Sequence, residues 1–124
     1  MNIIISPAKK MIVCNDDLAN KSMPSNLEKT NLLFNTLNKL SYDELKSLLC
    51  CNDDIAELNF ERYKYMKQSD LQDTSSNLTP EILDYDGIQY KYLSPNTLSD
   101  KELDFINNHL KILSGFYGVL KPFD

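Results

Sequence analysis

Apolar residues recur at helical spacing through the first half of the chain. One such run places five side chains on a single helix face: Leu27, Leu33, Phe34, Leu37 and Leu40. Ser25 stands just before this run and can cap its helix. Ser41 and Glu44 have the spacing of a capping box that begins a second helix, and a third is predicted from Asn52. The pattern therefore predicts three consecutive amphipathic helices.

Shorter elements are predicted on both sides of these helices. The three isoleucines of Ile3–Ile5 are bounded by Ser-Pro, which favours a short buried strand. Proline at the first helical position in Thr79-Pro80-Glu81 predicts a short helix that ends near Tyr85. After a turn at Asp86-Gly87, apolar and polar residues alternate from Ile88 to Tyr92, which predicts a second strand.

The C-terminal stretch, residues 113–124, contains two of the three glycines. A capping box at Ser99 begins the preceding helix, whose apolar stripe runs to Leu113. The layout predicts a helix stop at Gly115, in the left-handed conformation, then a tight turn and a second short helix. Free N–H groups at the start of that helix, beside Gly118, would bind an anion. In the alternative interpretation the glycines only end a helix and the intervening apolar residues belong to the core.

Composition fits one small globular domain, because 42% of the 124 residues are hydrophobic and 25% are charged. No apolar run approaches the length of a membrane span, and no basic region precedes the N-terminal isoleucines. We therefore expect a cytoplasmic protein with no membrane partner. Cys14, Cys50 and Cys51 lack C-x-x-C spacing and adjacent cysteines bridge only with strain, so we expect reduced thiols, no metal site and no cofactor.

Charge bears on the choice of ligand. The net charge of −5 and the pI near 4.8 argue against this chain gripping nucleic acid by itself. In the loop after the first strand, Ser6 could bond a phosphate and Lys9 could supply a point charge. The alternative is an ordinary strand exit with solvated lysines. Arg62, the single arginine, by itself indicates only a surface side chain that lies over Tyr63 or Tyr65.

The two ends of the chain together closely resemble the peroxide stress protein YaaA family. The resemblance rests on Ile-Ser-Pro-Ala-Lys at 5–9 and on Leu-Ser-Gly-Phe-Tyr-Gly-Val-Leu-Lys-Pro-Phe-Asp at 113–124. Matches between them keep the register: Leu58-Asn59, Arg62-Tyr63, Tyr90, Ser99 through Asp104-Phe105, and His109-Leu110. Three positions depart from the pattern, since Lys10 stands where relatives carry a small hydroxyl residue, Tyr92 where glycine is frequent, and Lys121 where arginine is frequent.

Members of that family are about twice as long as this chain. The resemblance therefore implies that residues 1–124 are a single N-terminal portion of a larger domain, without an internal boundary. The expected fold is α+β: a mixed α/β fragment with a short N-terminal strand, several amphipathic helices, a second strand and a helix-hairpin-helix-like C-terminal element. Such a fragment leaves apolar faces uncovered and could self-associate.

The resemblance also implies a function. Family members are associated with protection against peroxide, with limiting damage from intracellular iron, and with non-sequence-specific DNA binding through the helix-hairpin-helix-like element. Ordinary helix-hairpin-helix turns place their glycines two residues apart, whereas these are three apart. The residues expected at the DNA phosphates are Ser6, Lys9, Arg62, Gly115, Tyr117, Gly118 and Lys121.

Two other functions stay open. The chain could belong to an enzyme or binding protein for a phosphorylated or nucleotide ligand held by the Ser6–Lys9 loop. No glycine-rich loop or catalytic spacing supports a particular reaction, so no catalytic residue is assigned and a non-enzyme is favoured. Iron could instead bind directly through His109, Cys14 and the pairs Asp16-Asp17 and Asp53-Asp54, but these residues lack a recurrent ligand spacing.

Overall fold

The computed structural model describes residues 1–12, 18, 20–67 and 79–124. These residues form three strands and six α-helices, which confirms the predicted mixed α+β class. The elements are β1 (Ile3–Ile5), α1 (Leu27–Leu37), α2 (Tyr42–Leu49), α3 (Asp53–Tyr65), α4 (Glu81–Asp84), α5 (Ile88–Leu93), α6 (Asp100–His109), β2 (Leu110–Ser114) and β3 (Gly118–Leu120), with a 3-10 turn at Pro95–Thr97. None of the described helices is long and apolar enough to cross a bilayer.

The chain divides into two compact units. The first unit comprises Met1–Asn26 and Thr74–Asp124, and the second comprises Leu27–Asp73. Strands and helices α4 to α6 belong to the first unit, whereas α1, α2 and α3 belong to the second.

Local capping begins α2 and α3 where the sequence predicts. The Ser41 side chain accepts the Glu44 N–H, and the Glu44 carboxylate accepts the Ser41 N–H at 2.8 Å. Asn52 caps α3 by accepting the Ile55 N–H at 3.0 Å. Helices α2 and α3 pack around the buried side chains of Leu45 and Ala56.

The first unit is built on a three-stranded sheet in the order β1-β2-β3. β1 pairs with β2 in parallel, with Ile5 opposite Ile112, and β2 pairs with β3 antiparallel, with Ile112 opposite Leu120. Ile112 and Leu120 are fully buried on the face that carries the core. That core also contains Ile82, Leu83, Tyr85, Tyr90, Leu103, Leu110 and Phe123.

The C-terminal element differs from the prediction. A β-hairpin stands where the sequence predicts a helix-hairpin-helix-like element. α6 ends at His109, not at Leu113, and residues 110–120 form two paired strands joined by a turn. Leu110 and Leu113 fit the helical spacing of apolar residues, but the same segment also fits a strand. Its burial alternates, since Leu110 and Ile112 are buried while Leu113 is exposed. Pairing with β1, more than a hundred residues earlier, favours the strand.

The predicted second strand at Ile88–Tyr92 is also wrong, because this segment is helix α5. A strand would place Ile88, Tyr90 and Tyr92 on one face, yet only Tyr90 is buried and the other two are exposed. The helix puts Tyr90 against Tyr85, with ring centroids 5.2 Å apart. Gly87 and Ser94 cap it, and Ser94 adopts the left-handed conformation.

β1 is a strand, as predicted, but it is not buried. Ile3 is 43% exposed and Ile4 is 62% exposed. Within the described chain β1 pairs with β2 alone, so it is an outer strand of the sheet.

Candidate functional site at the carboxyl edge of the sheet

Parallel pairing brings two distant segments to one edge of the sheet. β1 and β2 run in the same direction, so their carboxyl ends lie at the same edge, which we call the carboxyl edge. The loop Ser6 to Lys10 leaves β1 there, and the turn of residues 115–117 joins β2 to β3 there. Ser6 and Lys9 are therefore at the same edge as Gly115, Tyr117 and Gly118. Ligands of open α/β sheets bind at this kind of edge.

The loop after β1 is held by α4 and α5. The Ser6 carbonyl accepts hydrogen bonds from the Tyr90 hydroxyl, at 2.8 Å, and from the Gln89 side-chain amide. Farther along, Met11 bridges Tyr85 in an antiparallel pair. The side chains of Ser6 and Lys9 are exposed. The backbone of the loop is thus fixed while these two side chains face solvent.

Asp86, whose side chain is largely buried, pairs with one lysine of the loop and one of α5. Asp86 forms ion pairs with Lys10 at 2.9 Å and with Lys91 at 3.0 Å. Hydrogen bonds from Lys10 and Lys91 lower the pKa of Asp86 below its ordinary value. Lys9 comes directly before Lys10 in the loop, and its side chain is exposed.

The turn at the same edge is stabilised by a serine. Ser114 Oγ accepts the N–H groups of Phe116 at 3.2 Å and Tyr117 at 3.1 Å. Ser114 also hydrogen-bonds the Tyr85 hydroxyl, which contacts Glu81. Burial, and next the charge of Glu81, raise the pKa of Tyr85 above its ordinary value. The predicted free N–H groups of a second helix are absent here: no helix follows Gly118 in the described residues, and two turn N–H groups are already bonded.

The two glycines of the turn have different roles from those predicted. Gly118, not Gly115, has a positive φ, of 82°. A Cβ on Gly118 would lie 2.7 Å from Asn26 Nδ2, whereas a Cβ on Gly115 would meet nothing within 4 Å. Gly118 is therefore required by backbone conformation and by its contact with Asn26.

The remaining predicted site residues are not assembled at this edge by the pairing. Lys121 follows β3 at the end opposite Gly118, and its N–H donates to the Asp124 carboxylate at 2.7 Å. Its side chain is exposed. Arg62 belongs to the second unit, in the last turns of α3, and is half-buried. Its contact with a phosphate stays a prediction.

Sequence reasoning missed the polar network behind the edge. Ser114, Tyr85 and Glu81 link the turn to α4, and Asp86 links the loop lysines to α5. The available signal was Glu81, a charged residue followed directly by Ile82 and Leu83, which are also buried. Buried carboxylates need hydrogen-bonding partners, so its position indicates a nearby polar group.

Direct iron binding gains no support from the residues that the structure describes, which contain no group of three His, Cys, Asp or Glu side chains able to hold a metal. His109 Nδ1 donates to the Met1 carbonyl at 2.9 Å, and its ring lies 4.3 Å from that of Phe105. Cys14 and Asp16-Asp17 lie outside the described residues.

Known proteins give this edge a context. A UPF0246 protein of Desulfitobacterium hafniense is 54% identical over all of this chain and 47% of its own length. Those of Lachnoclostridium phytofermentans and Pediococcus pentosaceus are 48% and 45% identical over the whole chain, which covers 46% and 47% of them. The chain thus spans about half the length of these curated relatives. The sequence model of the family described as peroxide stress protein YaaA matches residues 1–124, the loop after β1 and the β2–β3 turn included. The chain belongs to the peroxide stress protein YaaA family.

Proposed function

We propose that this chain is part of a protein that protects the cell under peroxide stress, and that in the whole protein the carboxyl edge of the sheet contacts DNA phosphates without reading base sequence. The observation that carries the proposal is the parallel pairing of β1 with β2, which gathers the Ser6–Lys10 loop and the β2–β3 turn at one edge. Membership of a peroxide stress family supports the stress role.

The chemistry of the edge suits phosphate contacts. Lys9 provides an exposed cation in the same loop as the exposed Ser6 hydroxyl, and Tyr90 and Gln89 hold the Ser6 backbone in place. Cationic and hydroxyl side chains bond phosphate oxygens, which are the same at every base pair. The overall charge of −5 limits the contribution of these 124 residues, so DNA affinity is a property proposed for the whole protein.

Limiting iron-driven damage belongs to the same proposal, also at the level of the whole protein. The second candidate function is binding of a phosphorylated small molecule at this edge. The exposed Ser6 and Lys9 side chains of the loop favour it, because a small phosphate needs only a few cationic and hydroxyl contacts. The two candidates share the phosphate chemistry and differ in the size of the ligand.

Fluorescence anisotropy with two duplexes of unrelated sequence, between 50 and 200 mM salt, tests the proposal. The protein is a chimera in which this chain replaces the aligned half of the Desulfitobacterium hafniense relative. We expect equal affinity for both duplexes and a steep fall with salt. Lys9→Ala should reduce by about one the magnitude of the slope of log affinity against log salt concentration, because one phosphate contact is lost. Lys101→Ala is the matched control, because that exposed lysine lies on α6 between Asp100 and Glu102.

A flat salt response, or equal slopes for Lys9→Ala and Lys101→Ala, would contradict the DNA proposal. Calorimetric titration with ATP and with inorganic phosphate separates the second candidate. Saturable binding of ATP that Lys9→Ala weakens, without measurable DNA affinity, would favour the small phosphorylated ligand.

A further inference from the structure

Strand β1 is exposed in three ways at once, and this combination points to a missing neighbour. The first is its outer side, since β1 pairs with β2 alone among the described strands. An unpaired strand side presents a row of N–H and C=O groups that can accept another strand. At three residues, β1 is also shorter than a typical strand, and its isoleucines carry no charge that would block such pairing.

The second exposed feature is the sheet face turned away from the core. Register places Ile4 opposite Lys111, and Leu113 opposite Val119, on this face. Ile4 is 62% exposed, Leu113 is 47% exposed and Val119 is 48% exposed. Each of the three strands thus contributes one apolar side chain to a surface that the described residues of the first unit leave about half exposed. A solvated sheet face normally carries polar side chains, so these three apolar residues indicate a face that another element covers.

The third feature is an apolar pocket of about 230 Å³ on the core face, directly beneath β1. Ile3 and Ile5 of β1 line it together with residues of α5, α6 and β2, among them Leu93, Phe105 and Ile106. The pocket is the point where the core of the first unit opens to solvent at its outer strand. A side chain from a strand added beside β1 would enter it, since alternate residues of that strand face the same side.

We propose that β1 is an interior strand in the longer family members, and that residues of their other half pair with its outer side, fill the pocket and cover Ile4, Leu113 and Val119. The part of each relative that does not align with this chain is available to cover β1, because the whole chain aligns to only about half of each relative. One added strand on the outer side of β1 would extend the sheet, and its flanking apolar residues would close both faces. This inference is independent of any ligand at the carboxyl edge.

Amide hydrogen exchange tests the proposal on two proteins, this chain alone and the chimera with the remaining half of the Desulfitobacterium hafniense relative. We expect the outward-facing amides of β1 to exchange at least about 100-fold more slowly in the chimera. Ile4→Lys should remove much of that protection and lower the Tm of the chimera. Ile88→Lys is the matched control, since Ile88 is 75% exposed on α5 and does not line the pocket.

Far-UV circular dichroism checks that this chain alone still folds with either substitution, Ile4→Lys or Ile88→Lys. We expect both variants to fold, because both positions are exposed. Fast exchange of β1 in the folded chimera would overturn the proposal, as would equal effects of Ile4→Lys and Ile88→Lys. Light scattering tests whether a second copy of this chain covers β1 instead. If the chain alone forms a dimer that Ile4→Lys dissociates, and β1 stays unprotected in the chimera, then a second copy covers the strand. In that case the proposal fails.

Discussion

Replacing Gly118 with alanine should destabilise the first unit by about 2–4 kcal/mol. The larger part comes from the backbone, because a non-glycine residue held at φ +82° costs about 1–3 kcal/mol. The added Cβ would also approach Asn26 Nδ2 to 2.7 Å. Asn26 must then move, and losing one of its hydrogen bonds costs about 1 kcal/mol.

Urea unfolding followed by circular dichroism measures this loss, and amide exchange at Ile112 and Leu120 assigns it to the paired strands of the first unit. A loss of this size lowers the Tm by roughly 10–30 °C in a unit of this length. Gly115→Ala is the matched control, because its φ is not positive and its Cβ would meet nothing within 4 Å. We expect Gly115→Ala to change stability by less than about 0.5 kcal/mol.

The double variant Asn26→Ala with Gly118→Ala separates the two causes. In the Asn26→Ala background, Gly118→Ala should cost less by about the smaller part, because no Asn26 side chain remains to be displaced and only the backbone strain is left. Equal stabilities of Gly118→Ala and Gly115→Ala would refute the reasoning. A Gly118→Ala protein with full stability and lost DNA binding would instead support the predicted anion site beside Gly118.

Two further changes test the polar network behind the carboxyl edge. Ser114→Ala leaves the N–H groups of Phe116 and Tyr117 without their acceptor, so we expect a loss of about 1–3 kcal/mol and faster exchange of both amides; unchanged exchange would contradict this. Burial, then the charge of Glu81, raises the pKa of Tyr90 to about 12. Since an unfolded tyrosine ionises near pH 10, stability should be complete below pH 10 and fall between about pH 10 and 12. Tyr90→Phe should flatten that fall, and an identical pH profile for both proteins would count against it.

Helix starts were predictable because their causes are local. Ser41 and Asn52 satisfy N–H groups three residues away, so the sequence contains the whole interaction. The same holds for Ser99, whose capping box with Glu102 begins α6. Mixed α+β architecture followed from these helices together with the isoleucines of β1.

The carboxyl edge was predictable only in part. Ser6 and Lys9 could be selected because they follow a strand, and the family resemblance joined them to the C-terminal stretch. The spacing of Gly115 and Gly118 did not reveal that Ser114 would bond the turn or that Asn26 would lie against Gly118. Asn26 and Gly118 are far apart in sequence, so no local pattern records their contact.

By itself the sequence determined the family, the capped helices and the residue types at the carboxyl edge. Tertiary structure decided which apolar segments became strands and which became helices. Leu110 to Ser114 continues the helical pattern of α6, yet it is a strand because β1 and β3 supply hydrogen-bonding partners on both of its sides. Ile88–Leu93 alternates like a strand, yet it is a helix that buries Tyr90 and lets its hydroxyl reach Ser6. A short segment whose apolar pattern fits both a helix and a strand takes the structure that its partners distant in sequence favour. Local propensities amount to only about a few tenths of a kcal/mol per residue, so burial and backbone pairing outweigh them.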